Sequence, residues 1–247
     1  MKETREKTKI TEKILQILVI YTIGIVGWLL FKLLLLFKRI KVVSYQEEPF
    51  QFQNGLLVVS NHPSLLEPIL IPFLFFRFMF WHPIKFCPIN TPDKKNYYDK
   101  CFWFWIRGFS IPVDRKSRWG RSRSLVKIKN ALSKGKIVIF FPEGGRTEKG
   151  KEFVFSKKGK KIRLLEKGIG WLISKTKAQV LPLWVEGTEG ILPNSPNPEE
   201  LYSTFPRFWK RAIIKIGNPL KFSGDEDKEK IVKEITSSLL QLADKEE

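Results

Sequence analysis

Cysteine, histidine and acidic side chains are scarce in this sequence, and each shortage removes a class of function. Cys87 and Cys101 are the only cysteines among 247 residues and stand far from any CxxC spacing. Neither a disulfide framework nor a cysteine-based zinc site is available, and a reducing compartment is the default. His62 and His82 are the only histidines, too few for a His-rich metal site, so imidazole chemistry has two candidates. Asp and Glu number 25 against 44 Lys and Arg, a formal charge of +19. The natural counterparts should therefore carry negative charge: nucleic acid, anionic lipid headgroups or phosphorylated metabolites. Internal repeats and long low-complexity linkers are missing as well. What is present is 43% hydrophobic and 28% charged, which suits one sizeable α/β domain or two small ones and not a disordered tail.

Ile14 to Phe31 is a run of 18 residues without a charge, and after Lys32 it resumes as Leu33 to Phe37. At 1.5 Å per residue the uncharged part reaches roughly 27 Å, close to the thickness of a bilayer core. A removable leader would need a shorter apolar stretch and a small-residue cleavage site. Apolar side chains cover every face of the run, which argues against a buried helix of a soluble protein. The expectation is a membrane-anchoring helix, or a re-entrant helical hairpin if Gly24 and Gly27 break the run. Basic residues on both flanks leave the orientation open. Residues 1–41 are thus expected to form the anchor and 42–247 an α/β domain. A second apolar region, Pro68 to Trp81, is interrupted by Pro72 and Arg77. Its rings, and those of Phe102 to Trp105, suit either a membrane interface or an aromatic core.

The remaining chain alternates short apolar runs with helical spacing. Leu56 to Val59, Ser110 to Val113, Ile137 to Phe141, Val180 to Val185 and Arg211 to Ile216 read as strands, with Pro112 placing the second at an edge or strand end. Leu125 to Ser133, Lys167 to Lys175 and Lys228 to Ala243 read as helices, and Pro63 is placed for a first helical turn capped by Ser60 or Asn61. This predicts an α/β fold with a mostly parallel or mixed sheet flanked by helices. Ligands bind such sheets at the polar residues beyond the strand ends.

Those residues form four clusters: Asn61 to Glu67 (NHPSLLE), Gly108 to Arg115 (GFSIPVDR), Phe141 to Thr147 (FPEGGRT) and Leu181-Pro182-Leu183. Singly each is weak; a His a few residues ahead of an acid can be a mere helix cap. In this order and spacing they resemble the four blocks of the glycerolipid acyltransferases of the 1-acylglycerol-3-phosphate acyltransferase type. Asn61 and His62 match the first block, with Glu67 where the family has Asp. Gly108, Asp114 and Arg115 match the second. The third is met by Phe141, Pro142, Glu143, Gly144, Arg146 and Thr147, with Gly145 in place of Thr. The resemblance runs from about Leu56 to about Lys221.

The resemblance implies transfer of a fatty acyl group from acyl-CoA or acyl-carrier protein to the free hydroxyl of a lysophospholipid, foremost 1-acylglycerol 3-phosphate, giving phosphatidic acid. The donor is a substrate, and neither a cofactor nor a metal is expected. The residues fit on their own chemistry. A hydroxyl attacking a thioester must lose its proton, so His62 would be the base, and a carboxylate, Glu67, would fix its tautomer and steady the cation. Glu is one methylene longer than Asp, so it must approach the ring from a different offset or rotamer. Arg115 and Arg146 offer paired hydrogen bonds to a phosphate. Gly144 and Gly145 permit close backbone approach, and Glu143 would orient Arg146 or a glycerol hydroxyl. Thr147 joins this binding group by its place in the third block. His82 and Asp93 read as structural.

Two basic stretches remain: Arg115 to Lys136 holds nine Lys and Arg without an acid, and Arg146 to Lys177 holds eleven against three Glu. They are either solvated faces or contacts to anionic headgroups or an acidic donor. Lys151 to Lys161 reads as an inserted loop. Membrane lipids are expected as partners, with the site near the cytoplasmic membrane surface. The alternatives are an acyltransferase for another lyso-lipid headgroup and a non-catalytic lipid-binding membrane protein of the same fold. Nucleic acid is not expected: no motif for it is present, and the apolar leader would go unexplained.

Overall fold

The computed structural model describes residues 11, 13–49, 55–95, 107–195 and 205–246. Cys101 and the rings of Phe102 to Trp105 lie outside the described residues. Helix α1, Lys13–Leu36, runs without a break through Gly24 and Gly27, so the helical-hairpin alternative is not what forms. The glycines serve packing instead: a Cβ on Gly27 would stand 2.6 Å from the Phe73 ring. One π-helical turn, Ile20–Gly24, lies within α1.

Strand β1 (Ile40–Ser44) follows directly, then β2 (Leu56–Ser60), α2 (Glu67–Leu74) and α3 (Phe76–Trp81). Helix α4 is Arg118–Leu132 and β3 is Ile137–Phe140. A hairpin of β4 (Phe153–Phe155) and β5 (Lys161–Arg163) precedes α5 (Gly168–Thr176). The chain continues through β6 (Gln179–Glu186), α6 (Thr188–Ile191), β7 (Ala212–Ile216) and α7 (Lys228–Asp244). The main sheet has the order β1-β7-β6-β2-β3, parallel at every junction except β6 with β7. Its central strands are buried on both faces, which is why they read as unbroken apolar runs.

Strand alternation divides the core. Leu57, Val59, Val138 and Phe140 point to one face, where α4, α5 and α7 pack. Leu56, Val58, Ile137 and Ile139 point to the other, against Ile71 and Phe75 of α2 and its end. Helix α7 presents Ile231, Ile235, Leu239 and Leu242 as one stripe, each fully buried aliphatic contributing about 1.5–3 kcal/mol. Helix α1 lies on the aromatic region of α2 and α3, with Phe31 stacked on Phe73 and Trp28 on Phe76. That region divides between the two expected uses: Phe75, Phe76 and Met79 are buried, while Trp81 is exposed.

Several local expectations are corrected. Pro63 lies outside any helix, and α2 starts at Glu67 with Pro68 in its first turn. Ser110 to Val113 makes only isolated bridges, Ser110 to Asn90 and Val113 to Asp93, because Pro112 cannot sustain a ladder. Lys151 to Lys161 is not a plain loop: Val154 pairs with Ile162 across the hairpin, and Gly159 supplies the left-handed turn residue at φ 78°.

Candidate active site

Strands β2, β3 and β6 are mutually parallel, so their C-terminal ends open on one edge of the sheet and release His62, Glu143 and Thr188 side by side. The exit from β2 is locked first. Asn61 Nδ2 donates to Val185 O at 2.7 Å, and Val185 N donates to Asn61 Oδ1 at 2.7 Å. The Asn61 side chain thereby continues the β2–β6 ladder by one rung and fixes the backbone that carries His62.

His62 Nδ1 lies 2.9 Å from Glu67 Oε2. The ring stacks on Phe141, with centroids 4.3 Å apart and planes 24° from parallel. Glu67 is fully buried, which a carboxylate tolerates only when its oxygens are hydrogen-bonded. Ser64 supplies its amide, at 3.1 Å to Oε2, and its hydroxyl, at 2.9 Å to Oε1. Thr188 Oγ1 donates to Oε1 as well. The other hydrogen-bond partners of this carboxylate are all donors, so Nδ1 meets it as a donor too and Nε2 keeps its lone pair. Thr188 reaches Glu67 through a turn that Gly187 makes possible. Gly187 has φ 81°, and a Cβ there would stand 2.4 Å from Arg211 O.

Glu143 follows β3. Its Oε1 accepts from His62 N at 2.7 Å and from Thr147 Oγ1 at 2.8 Å, and its Oε2 accepts from Arg163 N at 3.0 Å. The residue is 1% exposed. Burial pushes its carboxyl up from the ordinary range, against the pull of these hydrogen bonds and of His62. Glu143 therefore ties the first block, the third block and β5 together and is turned inward, as is Thr147, whose amide donates to His62 O at 2.8 Å.

The two arginines take different places. Arg115 Nη1 donates to Gly144 O, and its Nε stands 3.9 Å from Asp93. The second and third blocks thus meet, and Asp93, read as structural from the sequence, borders the site. Arg146 Nη1 donates to Asn194 Oδ1 at 2.7 Å, and Asn194 Nδ2 donates to Pro63 O at 2.7 Å. Gly144 takes φ 68°, a conformation open to glycine. Leu181-Pro182-Leu183 lies in β6 beside Val58, Val59 and Ser60 of β2, the strand that leads into His62.

Sequence reasoning passed over Ser64, Thr188, Asn194 and Arg163 as site residues. Ser64 had a legible signal, since Ser-x-x-Glu is a capping-box spacing; Thr188 at the start of α6, Asn194 in a loop and Arg163 in β5 lie far along the chain, without motif context. Among the described residues no three His, Cys, Asp or Glu side chains gather as metal ligands.

An imidazole held as a base by a buried carboxylate, beside arginines at a glycine-rich strand end, can deprotonate a hydroxyl next to an anionic group. Comparison with known proteins bears on the fold and the family. The chain is similar to the solved structure of the 1-acyl-sn-glycerophosphate (LPA) acyltransferase PlsC from Thermotoga maritima, at 21% identity and a TM-score of 0.54, over 100% of this chain and 86% of that one. That likeness shows a shared fold. A family model described as acyltransferase matches residues 41–186, more than half of the sequence and all four blocks, and the chain belongs to the acyltransferase family.

Proposed function

We propose that the chain esterifies the free hydroxyl of 1-acylglycerol 3-phosphate with a fatty acyl group from acyl-CoA or acyl-carrier protein, giving phosphatidic acid. The observation that carries this reading is the 2.9 Å contact of His62 Nδ1 with the buried Glu67, with Arg115 set against Gly144 of the neighbouring block. His62 Nε2 takes the hydroxyl proton as the oxygen bonds to the thioester carbonyl carbon. The carbon–sulfur bond then breaks, and the departing thiolate recovers the proton from the imidazolium. Glu67 stays ionised, holding the ring and offsetting its transient charge. The thioester is already an activated donor, so the reaction needs no cofactor. Arg115 is the guanidinium for the acceptor phosphate, while Arg146, through Asn194 and Pro63, sets the loop that carries His62.

We read residues 1–41 as a membrane anchor to a catalytic domain of 42–247. Support comes from α1, long and apolar enough to cross a bilayer, with 11% of its most apolar stretch buried, and from the +19 charge, which favours an anionic surface. The site would lie near the cytoplasmic membrane surface. Gly145, in place of the Thr of related sequences, keeps a second acceptor headgroup in view.

The test is acyl transfer by detergent-solubilised protein to a panel of lyso acceptors with both donors. Wild type should make phosphatidic acid, and His62→Ala should lose about 10²–10⁴-fold in kcat, the range of a general base. Wild-type inactivity with every acceptor and both donors would refute an enzymatic role.

A further inference from the structure

We propose that Arg163, outside all four sequence blocks, is an acceptor-binding residue of this chain, pairing with Arg115 to grip the phosphate of the acceptor headgroup. The inference rests on the acyl-transfer reading above and names a recognition element of that site.

Arg163 closes β5, and its backbone amide is fixed by Glu143, which also holds His62. Its side chain runs in a groove that two glycines leave open. A Cβ on Gly150 would stand 2.5 Å from Arg163 Cγ and 2.8 Å from its Cδ. At the far end, a Cβ on Gly145 would stand 2.6 Å from Arg163 Nη1 and 3.9 Å from Arg115 Nη1. Both guanidinium groups therefore lie against the same bare backbone, one residue from the carbonyl that Arg115 holds.

Among the described residues no carboxylate or carbonyl pairs with the Arg163 guanidinium. Glu143, which accepts from the Arg163 amide, spends both oxygens on His62 N, Thr147 Oγ1 and that amide. Two like charges brought together cost energy in the free protein; Asp93, 3.9 Å from Arg115 Nε, offsets part of that cost, and a bound dianion offsets the rest with bidentate hydrogen bonds from each guanidinium. The replacement of Thr by Gly at 145 then has a reason: the missing side chain is the space that the Arg163 tip occupies.

The experiment measures KM and kcat with 1-acylglycerol 3-phosphate for wild type, Arg163→Gln, Arg163→Lys, Gly145→Thr and the double variant Gly145→Thr/Arg163→Gln. Inhibition by inorganic phosphate is measured alongside. Loss of charge-assisted hydrogen bonds to a phosphate should raise KM and the inhibition constant about ten- to a hundredfold in Arg163→Gln, with kcat changed far less. Arg163→Lys should recover part of the loss. Gly145→Thr should displace the flexible guanidinium and raise KM likewise, and the double variant should be no worse than Arg163→Gln alone. Unchanged KM and phosphate inhibition in Arg163→Gln would overturn the proposal while acyl transfer stands, as would a fall confined to kcat. Failure of the wild type to use the phosphate acceptor would overturn the functional reading and this inference with it.

Discussion

Shortening the buried acid by one methylene tests the site most sharply, because sequence pattern and structure point in opposite directions. The family's first block carries Asp where this chain has Glu67, so pattern alone favours Glu67→Asp as neutral or beneficial. The structure argues for harm. With the backbone fixed, removing one carbon–carbon bond draws the carboxylate back by about 1.5 Å. The 2.9 Å contact with His62 Nδ1 becomes one of about 4.4 Å, beyond hydrogen-bonding range. The ring then loses the acceptor that fixes its tautomer, and a displacement of this size costs on the order of 10² in rate. Thr188 Oγ1, which now donates to Glu67, is left buried without an acceptor, at about 1–3 kcal/mol of stability. The assay is steady-state acyl transfer well below the melting transition, with urea unfolding in parallel so that lost activity is separated from lost protein. A Glu67→Asp enzyme with kcat at or above the wild-type value would refute the claim that this loop geometry requires the longer acid.

Three further outcomes follow from the packing and from buried groups. Lys215, nearly inaccessible in β7, donates to the carbonyls of Ala243 and Lys245 at the end of α7 and pairs with Glu186 at 3.2 Å. Lys215→Met should destabilise the fold by about 3 kcal/mol, read by urea unfolding, with α7 losing protection in hydrogen exchange first. Burial works against an ionised Glu186, yet Lys160 and Lys215 hold its carboxyl below the ordinary range. A lowered folded value means stability that is present above the unfolded carboxylate range and lost as pH falls through the folded one. Wild type should therefore lose stability more steeply than Lys160→Met between roughly pH 5 and 3; equal slopes would remove Glu186 from the acid response. Burial pushes the Cys87 thiol up to about 12, so in a Cys101→Ser background a chromogenic disulfide should leave the native protein unlabelled at pH 8 and label it on denaturation.

The fold was legible where burial is two-sided. The apolar runs of β2, β3 and β6 and the stripe of α7 carry their own signal, and their ends shift by only a residue or two. Among the strands, two kinds escaped. Strand β1 follows the basic residues at the foot of α1 and is an edge strand paired on one side only, so Ile40–Ser44 has no long apolar run. Strands β4 and β5 have three residues each, too short for periodicity to register, and their pairing depends on a turn through Gly159. The reverse error, a strand at Ser110 to Val113, understated Pro112: the proline expected to place the strand at an edge or end leaves isolated bridges and no ladder.

The site was legible as a set of blocks and opaque in how they cooperate. Glu67 and Gly145, the two departures from the family pattern, look from the sequence like weaknesses. In three dimensions each meets residues the blocks do not contain. The longer Glu67 side chain is surrounded by donors from Ser64 and from Thr188, 121 positions away, which stabilise a buried charge that His62 alone would not offset. The bare Gly145 admits Arg163 from a hairpin that sequence spacing read as a loop. Both cases have the same physical origin: a contact between elements adjacent in the sheet but distant in the chain has no periodicity and no spacing, so only the folded backbone reveals it. A substitution inside a motif is therefore judged by the volume and hydrogen bonds it creates for its neighbours, and here those neighbours fill the volume and supply the hydrogen bonds.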